Sequence, residues 1–62
     1  MNKTEIQKMI LEIQKIKEEQ TKEFELYGEK TPEMKPFLKD LLKSILNELD
    51  LEIEKYKKML DN

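Results

Sequence analysis

The chain has 62 residues, with twelve lysines, fourteen acids, no arginine, no histidine and no cysteine, for a formal net charge of −2. That composition leaves no disulfide, no thiol or imidazole for a structural zinc, and no Ser-His-Asp set. Interspersed, balanced charges give no strong field to gather nucleic acid or an anionic membrane, and the missing arginine removes the planar fork that grips phosphate.

The first element is written in helical period: Ile6, Met9, Ile10, Ile13 and Ile16 recur at spacings of three and four. Thr4 suits the N-cap, with Gln7 as its capping-box partner, and Asn2 with Glu5 offers the same pattern slightly earlier. From Lys17 to Glu23 no hydrophobe occurs, and Phe24, Leu26 and Tyr27 then restore apolarity. Gly28 is the only glycine. As the C′ residue of a helix over about residues 4–27, it would take a left-handed conformation at no steric cost and let the chain reverse.

Residues 28–31 make the turn, short enough to favour antiparallel neighbours. Thr31 is expected to cap the next helix, with Pro32 in its first turn, where the missing N–H is no loss. Pro36 either opens the main helix after a separate short turn over 32–35, which is preferred, or kinks it. Helix 2 therefore spans about 32 or 36 to 61, and its apolar residues run from Leu38 to Leu60. There is no repeat, linker or low-complexity tract, so residues 1–62 read as one helical-hairpin domain.

The two helices are mismatched. In an antiparallel hairpin the polar stretch 17–23 lies opposite Leu38, Leu41 and Leu42, with Gln20 on the seam. Helix 2 thus carries a wider apolar arc than its partner can cover, and an uncovered apolar patch marks an interface. The expected fold is all-α: an antiparallel two-helix hairpin that pairs with a second copy into a four-helix bundle. Leu38, Leu41, Leu42, Ile45, Leu46 and Leu49 are the expected interface.

Chemistry-bearing clusters are few. Glu48, Asp50, Glu52 and Glu54 crowd helix 2, but Lys55, Lys57 and Lys58 follow at once. A solvated charged face accounts for them better than a metal site. Ser44 and Thr21 have no histidine to activate them, and a single glycine cannot build a phosphate loop. Lys15, Lys22, Lys39 and Lys43 near Phe24, Tyr27 and Phe37 could serve RNA. The aromatics are more simply read as a hydrophobic plug at the hairpin end.

Tyr27-Gly28, Thr31-Pro32-Glu33-Met34 and Asn47-Glu48-Leu49-Asp50 with Ile53 and Tyr56 resemble the short aspartyl-phosphate phosphatases of sporulating bacilli. Those are small helical hairpins that dephosphorylate a response regulator and carry a Ser-Gln-Glu-Leu-Asp signature on the second helix. Leu46 and Asn47 replace the serine and glutamine here, and the stretch lies about two helical turns further from the loop. The resemblance implies Asp50 as the matching acid.

The expected function is that of a small non-enzymatic regulator or adaptor working through helix-mediated protein contact and self-association. A response-regulator phosphatase and a nucleic-acid-binding bundle are the alternatives. No catalytic, cofactor-binding or metal-binding residue is expected, and no cofactor. The expected partners are a second copy and, beyond it, one other protein, with neither nucleic acid nor membrane. No apolar run approaches the roughly 20 residues of a membrane span, so a cytoplasmic location is expected. A lysine-, glutamate- and isoleucine-rich chain without alanine or valine fits an AT-rich bacterial or phage coding sequence.

Overall fold

The computed structural model describes residues 2–61. It consists of helix α1 (Lys3–Lys30), a single 3-10 turn (Pro32–Met34) and helix α2 (Lys35–Asp61). The two helices pack antiparallel along a body 46 × 15 × 11 Å. No helix among the described residues is long and apolar enough to cross a membrane.

Three local expectations are corrected. Thr4 lies inside α1, and Asn2 is the N-cap: its side-chain oxygen accepts from the Glu5 N–H at 2.9 Å, and its carbonyl accepts from the Ile6 N–H at 3.1 Å. Gly28 does not end the helix, since no described glycine has positive φ and α1 continues to Lys30. Thr31 instead closes the C-terminus of α1. Its N–H donates to the Tyr27 carbonyl at 2.9 Å and its hydroxyl to the same oxygen at 2.7 Å, which leaves no side-chain bond for the turn that follows. The reversal thus needs no left-handed residue.

Gly28 lies instead against the start of α2. It is buried where the two helices meet, and a Cβ there would come within 3.3 Å of the Lys35 Cγ. Pro36 is the second residue of α2 and sits in its first turn, so its missing N–H breaks no helical bond. The chain approaches it through the 3-10 turn, in which the Met34 N–H donates to the Thr31 carbonyl at 2.9 Å and the Lys35 N–H to the Pro32 carbonyl.

The core occupies the half of the hairpin remote from the turn. Ile6, Ile10 and Ile13 of α1 and Ile53 of α2 are buried, and Leu49, Tyr56 and Leu60 pack around them half-buried. Along α1 the seam continues at the same spacing with Lys17, Gln20 and Phe24. Lys17 reaches across to form an ion pair with Asp50, and the Thr21 hydroxyl turns back onto the Lys17 carbonyl at 2.9 Å. In the turn-side half, no apolar side chain is buried.

Candidate interaction surface

The polar seam of α1 decides where apolar surface stays open. Opposite Lys17, Gln20 and Thr21, α2 still presents leucines, and two adjoining clefts result. One, of about 430 Å³, is lined by Phe24, Gly28, Leu38 and Leu42 with Glu25, Glu29, Lys35 and Lys39 at its edges. The other, of about 410 Å³, is lined by Thr21 and Leu46 with Lys17, Glu18, Lys22 and Glu25. Glu25 is common to both, so the clefts share one side of the hairpin.

Their walls differ in charge. The α1 wall carries Glu18, Glu25 and Glu29 against Lys22, whereas the α2 wall carries Lys35 and Lys39. The cause lies in local sequence. Residues 18, 25 and 29 fall on one flank of α1 at spacings of seven and four, and 35, 39 and 46 fall on one flank of α2 at spacings of four and seven.

The opposite side has another character. Residues eighteen apart lie five turns apart on one line of a helix. Met9 and Tyr27 are so related on α1, and Leu41 and Met59 on α2. Ile16 and Ile45 lie on the same flanks, turned away from the clefts. Except for half-buried Ile45, all these side chains are exposed: Leu41 is 43% accessible and Tyr27 65%.

The six expected interface residues are thus distributed over three places. Leu38, Leu42 and Leu46 line the clefts, Leu41 and Ile45 belong to the opposite side, and Leu49 packs against the buried isoleucines. The reading along one helix missed Met9, Ile16, Tyr27 and Met59 as members of a surface. The eighteen-residue spacing was the available signal. The aromatic plug is also corrected: Phe24 is half-buried, but Tyr27 and Phe37 are exposed, Tyr27 falling on the Met9 flank of α1 rather than on its seam.

Of the acids on α2, Asp50 is held by Lys17, the one ion pair among the described residues. By helical phase Glu48 and Glu52 fall on the flank of Leu41 and Ile45, seven residues on from each, and Asp50 and Glu54 on the flank of Lys39 and Lys43. Among the described residues no group of three or more metal-ligating side chains converges.

The whole chain exposes 5232 Å² at 7.5 kDa. A compact folded monomer of that mass exposes about 4250 Å². The surplus of roughly 1000 Å² is the size of one partner's share of a protein–protein interface. Set against known proteins, the chain matches no family model, no curated protein and no solved structure.

Proposed function

We propose that this protein is a non-enzymatic regulator or adaptor that pairs with a second copy through its cleft side, completing a four-helix bundle. The observation that carries the reading is the uncovered apolar floor of the clefts, Phe24, Leu38, Leu42 and Leu46, on a chain with surface to spare. Burying that floor adds the apolar contact that Lys17, Gln20 and Thr21 withhold within the hairpin.

The walls favour a second copy as the occupant. A twofold axis parallel to the helices lays α1 of one hairpin over α2 of the other. The Glu18, Glu25 and Glu29 wall of one molecule then meets the Lys35 and Lys39 wall of its partner, twice over. Such an interface is self-complementary.

A charge exchange tests this. Glu25→Lys and Lys39→Glu should each shift the species measured by light scattering toward 7.5 kDa, and the double variant should restore the dimer. A wild-type chain that is monodisperse at 7.5 kDa across micromolar concentrations would refute the pairing. A double variant no better than the singles would refute its geometry.

A further inference from the structure

The side of the hairpin turned away from the clefts makes no contribution to that dimer, and its charges are not balanced. Its apolar line of Met9, Ile16, Tyr27, Leu41, Ile45 and Met59 is bordered by Glu5, Glu12, Glu19 and Glu23 on α1 and by Glu48 and Glu52 on α2. Lys30 and Lys55 alone stand among these six glutamates, and Lys8 follows on the outer edge. The cleft side, taken over the same arc of each helix, carries seven lysines (Lys3, Lys17, Lys22, Lys35, Lys39, Lys43, Lys57) against six acids (Glu18, Glu25, Glu29, Asp50, Glu54, Asp61). Charge has therefore been sorted between the two sides, although the chain as a whole is nearly neutral.

This pattern selects among occupants. A second copy would bring glutamate borders against glutamate borders, which opposes pairing. An anionic membrane surface is disfavoured for the same reason. A helix with an apolar stripe and lysine or arginine flanks satisfies both features at once: its stripe covers the line of exposed side chains, and its bases meet the borders. The face is long enough, since it follows α1 and α2 over most of the 46 Å body. From this apolar line bordered by unpaired glutamates, we infer that the face is a docking site for a cationic amphipathic helix of another protein.

The inference is independent of the dimer on the cleft side, and its test is read separately. The probe is a fluorescently labelled eighteen-residue peptide of leucine and lysine, with leucines at three- and four-residue spacing, titrated by anisotropy at low salt against the full chain. The wild type should bind it, and more weakly as salt is raised. Neutralising the border in Glu12→Gln/Glu19→Gln/Glu52→Gln should weaken binding about tenfold, and Leu41→Ala should weaken it with no change in salt dependence. The control Glu33→Gln/Asp40→Asn/Glu54→Gln removes the same charge from exposed positions outside both the acidic border and the dimer walls, and should change binding less than about twofold. Circular dichroism on each variant verifies that the helices persist.

Equal losses from both triple variants would overturn the inference, because attraction by net charge would then suffice. So would failure of the wild type to bind, or dissociation of a wild-type dimer by Leu41→Ala, which would make a second copy the occupant of this face.

Discussion

Replacing Gly28 by alanine tests the account of the turn most directly. In the structure Gly28 is an interior residue of α1 with ordinary helical backbone, two residues before the helix ends. Alanine there should gain helix propensity of about 1 kcal/mol. Against this, the new Cβ meets the Lys35 Cγ at 3.3 Å and Cε at 3.7 Å. That neighbour belongs to an exposed, flexible side chain, so moving it to another rotamer costs about 0.5 kcal/mol. The expected net change is a stabilisation of roughly 0.5 kcal/mol, which for a chain of this size raises the melting midpoint by about 2–4 °C. Thermal unfolding followed by circular dichroism at fixed protein concentration is the assay. If residue 28 were instead a left-handed helix stop, alanine would cost 1–2 kcal/mol and the midpoint would fall. A D-alanine at position 28, in a chemically synthesised chain, reverses the sign of both expectations. A fall with L-alanine accompanied by a rise with D-alanine would refute the continuous α1.

Two further changes probe the first turn and the seam. Asn2→Ala should cost about 0.5–1 kcal/mol through loss of the bond from the Glu5 N–H, while Thr4→Ala, at an exposed helical position, should leave the midpoint within about 0.3 kcal/mol; equal effects would return the cap to Thr4. Gln20→Leu adds apolar contact at the half-buried centre of the polar seam and should stabilise the chain by about 1 kcal/mol, read as a higher midpoint in urea unfolding. An unchanged or lower midpoint would mean that residue 20 does not face α2.

Sequence alone determined the elements and the mismatch between them. The isoleucines from Ile6 to Ile16 and the leucines from Leu38 onward specify two helices, because only a period near 3.6 brings those spacings to one face. The hydrophobe-free stretch from Lys17 to Glu23 already implied uncovered leucines on α2. The helix ends were less legible. Asn2 and Thr4 offered the same chemistry, and glycine has the same appearance whether it supplies a left-handed turn or simply makes room. The choice fell to Lys35, whose side chain comes close to Gly28 only when both helices are in position, and to Thr31, whose two bonds to the Tyr27 carbonyl let α1 run on.

The sides of the hairpin required tertiary structure altogether. One helix's periodicity shows that Leu41 and Leu46 flank a stripe, but not which flank of α1 shares a side with each. Packing two right-handed helices antiparallel joins Leu46 to Thr21 and Glu25, and so leaves Leu41, Ile45 and Met59 beside Met9, Ile16 and Tyr27. Six residues that form one interface on a single helix become parts of a core, a cleft and an acidic-bordered face, because a surface is made by neighbours distant in sequence.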